Sequence, residues 1–234
     1  MEKIPQIFIV SGPSGSGKST VVEYILKEIP TTLFSVSHTT RPPREGEEDG
    51  RDYIFVSKDE FGEMIKRNEF LEYDHHFGHW YGTHRSNLDR ATVQGQDLLL
   101  DIDIEGARQI KEKISEAVAI LFIPPSREEL ERRLRLRGQD DEEIIRKRLE
   151  RAREEISQYR GYDYLVVNEG LEEARLQVHS IICLERKRRG GEKAGCEKMG
   201  VQMDARADEA RRGNNNQRVS VILETFKETK PGKG

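Results

Sequence analysis

The sequence predicts an α/β fold, a P-loop core with a mainly parallel sheet flanked by helices. Two observations predict it. Short aliphatic and β-branched runs alternate with charged, amphipathic stretches along most of the chain. The first such run, Ile7-Phe8-Ile9-Val10, leads directly into a glycine-rich turn and then a helical pattern, the opening of a strand–loop–helix unit.

The elements follow in order. Ile7 to Val10 reads as a buried strand. Lys18 to Ile29 is a helix with Val21, Val22, Ile25, Leu26 and Ile29 on one face, stopped by Pro30. Leu33 to Ser37 and Tyr53 to Val56 read as strands. A helix from Ser57 to about Arg67 is expected, with Ser57 and Glu60 forming a capping box. Leu98 to Asp103 is a strand, Glu105 to Ile114 a helix, and Val118 to Ile123 a strand stopped by Pro124-Pro125. Ser126 caps a helix to about Leu136, and Asp140 to Tyr159 is a long charged helix. Tyr164 to Val167 and Leu171 to Lys187 are the last strand and helix. Beyond Arg189 the composition changes to glycine pairs, an Asn214-Asn215-Asn216 run and scattered charge. That composition predicts a disordered tail over 190–234, in which Arg218 to Phe226 alternates weakly like a strand.

The 234 residues suit one large domain or a core with inserted subdomains. Charged residues make up 35% of the chain, yet the net charge is only −4. No global basic field argues for nucleic acid, so anionic ligands must be held by local groups. Apolar runs are far too short to span a membrane, and the first residues lack a signal-peptide pattern. Cys183 and Cys196 are the only cysteines and lack metal-type spacing, so two reduced thiols in a cytoplasmic protein are expected. Nothing selects between a monomer and a homo-oligomer.

Gly12-Pro13-Ser14-Gly15-Ser16-Gly17-Lys18-Ser19 fits the P-loop pattern G-x-x-x-x-G-K-[ST], between a strand and a helix as the motif requires. Its backbone N–H groups and the helix dipole suit the phosphates of ATP, with contacts continuing to Thr20. Lys18 is expected to bridge the β- and γ-phosphates and Ser19 to ligate Mg²⁺. Asp101 ends a strand, where it orients the metal or caps the next helix.

A loop of this kind specifies only a nucleoside triphosphate. The second ligand must be read elsewhere. Arg41 and Arg44 sit in a Pro-rich, non-helical loop suited to a dianionic phosphate, and Tyr53 and Tyr81 add hydroxyl donors. Guanine, with adjacent N–H donors and an O6 acceptor, calls for a carboxylate and a hydroxyl; Glu72 and Asp103 are candidates for the first and Ser37 and Thr83 for the second, but spacing alone does not select Glu72 over its neighbours. Four histidines, His75, His76, His79 and His84, cluster around the aromatic loop, but its glycines argue against a shared helical face for metal.

Seven segments together resemble the guanylate kinase family, in order and spacing. They are Gly12 to Ser19, Ser35 to Arg44, Gly50 to Tyr53, Phe70 to Glu72, Phe77 to Thr83, Leu100 to Asp103, and Arg137-Gly138. The likeness covers about Gln6 to Arg188; Trp80 stands where the family more often has tyrosine. It implies a domain over 1–189 comprising a P-loop core, a small mixed or antiparallel GMP-binding insertion over about 36–92, and a helical lid over about 125–160. It implies that Ser37, Glu72, Thr83 and Asp103 contact guanine and that Arg41, Arg44, Tyr53 and Tyr81 hold the GMP phosphate. It matches Arg133, Arg137 and Arg148 to catalytic lid arginines and sets Asn168 against the adenine of ATP. Two rival readings are a P-loop kinase for another monophosphate and a non-catalytic interaction module of the same fold. Such modules usually drop the P-loop or lid charges, whereas this chain keeps Lys18, Arg41, Arg44 and Arg137.

Overall fold

The computed structural model describes residues 5–76, 78–136, 138, 141–190, 195–196 and 202–227. The chain forms two compact units: one holds residues up to Ile9 with Pro30–Ala117, the other Val10–Ile29 with residues from Val118 on. Strand β1 (Ile7–Ser11) belongs to both.

In the first unit the chain runs through β2 (Thr32–Phe34), β3 (His38–Thr39), β4 (Ile54–Phe55), α2 (Lys58–Lys66), β5 (Phe70–His76), β6 (His79–His84), α3 (Ser86–Gln94), β7 (Asp97–Asp101) and α4 (Ile104–Lys113). Strands β2 and β7 pair in parallel, with Leu33 opposite Leu98. The four short strands between them make a separate sheet in the order β4-β3-β6-β5, parallel at β3–β4 and antiparallel elsewhere. Sequence reasoning missed most of this sheet, because residues 70–84 interleave histidine, acid and aromatic side chains without an apolar alternation. The histidines lie on paired strands, with His75 opposite Trp80 and His76 opposite His79. Ser57 caps α2 as expected, accepting from the Glu60 N–H at 3.1 Å. Phe61 and Met64 of α2 bury against Phe70, the two phenyl rings stacked at 4.4 Å. Strand β5 is a sheet edge, and α4 covers it. Gln109 Nε2 donates to the Tyr73 carbonyl at 2.9 Å and Lys113 Nζ to the Leu71 carbonyl at 2.6 Å.

In the second unit, α1 (Lys18–Glu28), β8 (Val118–Ile123), α5 (Arg127–Leu136), α6 (Glu142–Ser157), β9 (Tyr164–Val167) and α7 (Leu171–Arg188) fall close to their expected bounds. Strands β8 and β9 pair in parallel, and β8 is buried along its whole length. The larger sheet has the order β2-β7-β1-β8-β9.

The last stretch corrects two expectations. Within the expected disordered tail, the described residues form helices α8 (Gln202–Glu209) and α9 (Asn216–Thr225). Ala207, Ala210, Val219, Ile222 and Phe226 are buried, whereas Val221 is 62% exposed. The apolar spacing in α9 is therefore i, i+3 and not the alternation of a strand. The chain before α9 also covers the free edge of β9: Leu165 N–H donates to the Ala210 carbonyl at 2.7 Å, and Arg212 N–H to the Asp163 carbonyl at 3.2 Å. Thr225 Oγ1 accepts from the Arg127 N–H at the start of α5, at 3.0 Å. The second correction concerns the thiols, since Cys183 and Cys196 are joined in a disulfide.

A packed α9 predicts a stability cost on truncating its core. Ile222→Ala should lower the unfolding free energy by about 2–4 kcal/mol in urea titration. A solvated segment would give no measurable change.

Candidate active site

The glycine-rich loop sits between β1 and α1. Gly12 has φ +138°, and a Cβ there would lie 2.1 Å from the Phe122 carbonyl oxygen, so the loop starts flush against β8. Helix α1 begins at Lys18 with no side-chain cap and no acid in its first turn. Its first N–H groups and dipole are thus left to an anion. Ser19 and Thr20 stand exposed on this turn. The Lys18 ammonium folds over the loop and donates to the carbonyls of Gly12 and Pro13.

Three side chains brace the loop. Asn168 Nδ2 donates to the Ser16 carbonyl at 2.7 Å, from a residue only 3% exposed. Arg133 Nη1 donates to the same carbonyl at 3.2 Å, its Nη2 to the Asn168 carbonyl at 3.0 Å, and its Nε to Glu129 at 2.7 Å. Arg148 Nη1 reaches Ser14 Oγ at 3.0 Å. Two of the three lid arginines read from the sequence therefore reach the loop or its brace, and Arg137 lies outside the described residues. Asn168 thus supports the loop from a nearly buried position. The neighbouring arginines pair locally: Arg132 with Glu129, Arg135 with Glu142, Arg146 with Glu150 and Arg151 with Glu155.

The residues that the sequence assigned to the acceptor lie in the first unit. Glu72 on β5 is 4% exposed and opposite Thr83 on β6, whose hydroxyl donates to Glu72 Oε1 at 2.5 Å. Burial pushes the Glu72 carboxyl up to about 7, against the opposing effect of the Thr83 hydrogen bond. The carboxylate reaches the start of α4, where a Cβ on Gly106 would lie 2.6 Å from Oε2. Only glycine leaves that space. Asp103 caps α4, its Oδ1 accepting from the Gly106 N–H at 2.9 Å. His76 Nδ1 lies 3.3 Å from a carboxylate oxygen of both Asp74 and Asp103, and its ring stacks on Tyr81 at 4.5 Å.

Beside this cluster is the arginine–tyrosine group. Arg41 Nη2 pairs with Glu47 Oε1 at 2.8 Å, and its guanidinium lies 5.2 Å from the Tyr53 ring centre. Glu47 Oε2 accepts from the Arg44 N–H at 2.8 Å and so closes the loop; the Arg41 hydrogen bond holds its carboxyl below the usual range. Arg44 is exposed. Tyr53 and Tyr81 meet edge to face at 6.0 Å, and burial, with Asp101 next, raises the Tyr53 phenol. The Tyr53 hydroxyl is then a neutral donor at neutral pH. Ser37, half-buried, follows β2, and its carbonyl accepts from the Ile54 N–H at 2.9 Å. The sequence reading missed Gly106, Glu47 and His76. The Asp103-x-x-Gly106 spacing of a helix cap was the available signal for the first; nothing local marked the other two.

A parallel α/β core with this loop, in a chain that also carries a small mixed sheet with a buried carboxylate, defines a nucleotide kinase. The guanylate kinase family profile matches residues 5–185. The chain is 49% identical over 189 residues to the guanylate kinase of Escherichia coli strain K12, covering 80% of this chain and 91% of that protein. It is equally similar, at 49% over 189 residues, to the guanylate kinase of Salmonella typhimurium strain LT2, with the same coverage. The crystal structure of guanylate kinase from Anaplasma phagocytophilum superposes with a TM-score of 0.62 at 32% identity, covering 86% of this chain and 95% of that one. The chain belongs to the guanylate kinase family. The matched region ends before α8 and α9.

The close approach at Gly12 sets a testable constraint. Gly12→Ala must displace either the loop or β8, at a cost of about 1–3 kcal/mol, read as a lower thermal midpoint.

Proposed function

We propose that this enzyme transfers the γ-phosphoryl group of ATP directly to GMP, giving ADP and GDP. The observation that carries the reading is the buried Glu72–Thr83 pair. A carboxylate at 4% exposure, raised toward neutrality by burial, calls for a ligand that donates hydrogen bonds to it. Guanine supplies two, from N1 and N2; adenine presents none at those positions. The Thr83 hydrogen is committed to Glu72, which leaves Ser37 as the donor to O6. Asp103 and His76 complete the wall, and residues 36–92 form the GMP-binding insertion.

The acceptor phosphate is assigned to Arg41, Arg44, Tyr53 and Tyr81. Glu47 holds Arg41 at 2.8 Å and so fixes its fork before substrate arrives. ATP phosphates are assigned to the loop N–H groups from Gly12 to Thr20 and to Lys18. Lys18 moves from carbonyl partners to the β- and γ-phosphates, exchanging weak neutral acceptors for anions. Arg133 and Arg148, with Arg137, are the positive charges of a lid over 125–160 whose closure excludes water. The Ser19 hydroxyl and Asp101 carboxylate are the hard oxygen donors that fit Mg²⁺, which neutralises phosphate charge when bound. Transfer is in line, with no phospho-enzyme, and protein groups contribute placement and charge. No helix among the described residues is long and apolar enough to cross a membrane. A kinase fed by ATP and GMP is placed in the cytoplasm, where both substrates are made.

An ADP-release assay with ATP, Mg²⁺ and each nucleoside monophosphate in turn should show turnover with GMP alone. Turnover with another monophosphate and none with GMP would refute the assignment. Lys18→Ala should lower kcat about 100-fold or more while GMP binding stays near wild type. Unchanged turnover would remove Lys18 from the chemistry.

The pH dependence has a definite sign. GMP is accepted by the ionised Glu72, so protonation competes with it below the carboxyl pKa of about 7. KM for GMP should rise as pH falls, approaching about tenfold per unit below that value, and level off above it. KM for ATP should not follow. Glu72→Gln should lose this dependence; a wild-type KM flat across the same range contradicts the role given to Glu72.

A further inference from the structure

His179 and Cys183 are four residues apart on α7 and share one face of it. Cys196 returns to that face, its Cα 5.6 Å from that of Cys183. One ring nitrogen of His179 and the two sulfurs all lie within 4.8 Å of one another. We propose that, once the disulfide is reduced, His179, Cys183 and Cys196 form a binding site for a thiophilic divalent cation of the zinc type.

The donor set supports this assignment. One imidazole and two thiolates are the ligands zinc takes and magnesium or calcium refuse. His179 and Cys183 are each 2% exposed, so both donors are held on the buried face of α7. Both ring nitrogens have partners, Nε2 at 2.8 Å from the Gly195 carbonyl and Nδ1 at 3.4 Å from the Tyr24 hydroxyl, and the longer Tyr24 contact is the one a metal replaces. A ligating histidine needs one such partner for its other nitrogen. Cys196 is half-buried, which leaves water to complete a four-coordinate shell.

The disulfide and the metal exclude each other, because both use the same sulfur electron pairs. A dithiol reductant opens the site by exchange. The bond between the two sulfurs breaks, the dithiol closes to its own disulfide, and two thiols remain on the chain. Metal binding then releases both thiol protons. In a reducing cytoplasm the thiol form is the one expected, and that expectation alone rests on the kinase reading above. Either linkage closes the same 13-residue connection between α7 and the segment leading to α8.

The test needs no activity measurement. Reduced, metal-free full-length protein under anaerobic conditions is titrated with Co²⁺. A sulfur-to-cobalt charge-transfer absorption should saturate at one equivalent per chain and disappear on adding Zn²⁺. Cys183→Ser and Cys196→Ser should lose it, and the oxidised chain should never show it. No such absorption, saturation at half an equivalent, or equal binding by the oxidised chain overturns the proposal. A second measurement uses only the wild-type chain. Zn²⁺ at about ten times its Kd should slow iodoacetamide alkylation of both reduced thiols about tenfold. Alkylation at an unchanged rate overturns the site even where a variant fails to fold.

Discussion

The approach of the Gly12 backbone to the carbonyl of Phe122 constrains everything around the anion loop. A strand buried on both faces offers no give, so the loop is set against a fixed surface. Asn168 and Arg133 then hold the Ser16 carbonyl. The Ser16 carbonyl is tied down, and the uncapped first turn of α1 is left for a ligand. Hydrogen bonds from Asn168 and Arg133 fix the loop backbone in advance, whereas Lys18 must still leave its carbonyl partners when phosphate binds.

The acceptor side uses the opposite device. There the protein keeps a carboxyl group in a place where its charge is costly. A glycine at the start of α4, a threonine across the strand pair and the cap made by Asp103 define the space it occupies. Such a group is held by the packing of the small sheet on α2 and α4, not by its own contribution to stability. Its position is a functional expense carried by the Phe61–Phe70 core and by the edge-covering bonds of Gln109 and Lys113.

The C-terminal segment shows how composition misleads. Asparagines and glycines suggested solvated chain, yet Asn215 is 5% exposed, and its amide donates to the carbonyls of Glu209 and Arg211. It joins two short helices that bury Ala207, Val219 and Ile222. Neither helix has enough apolar surface to persist alone. They are stable because β9 is an edge strand that needs a partner and because α5, α6 and α7 supply the other wall. The segment lies outside the region shared with the family, and it belongs to this chain's own architecture.

Several features followed from the sequence by itself because they are local. Strand–loop–helix order, the Ser57 and Ser126 caps and the phosphate loop depend on neighbours within a few residues. Arg41 and Arg44 stood out through their Pro-rich loop, whereas Glu72 was singled out only through the family resemblance. Tertiary structure alone decided the strands of the small sheet, whose pairing joins residues without a periodic pattern. It decided the bracing role of Asn168, the fold of α8 and α9, and the meeting of Cys183 with Cys196. Each of these depends on a partner distant along the chain, and burial is what converts an ordinary glutamate, asparagine or cysteine into a group with a particular function.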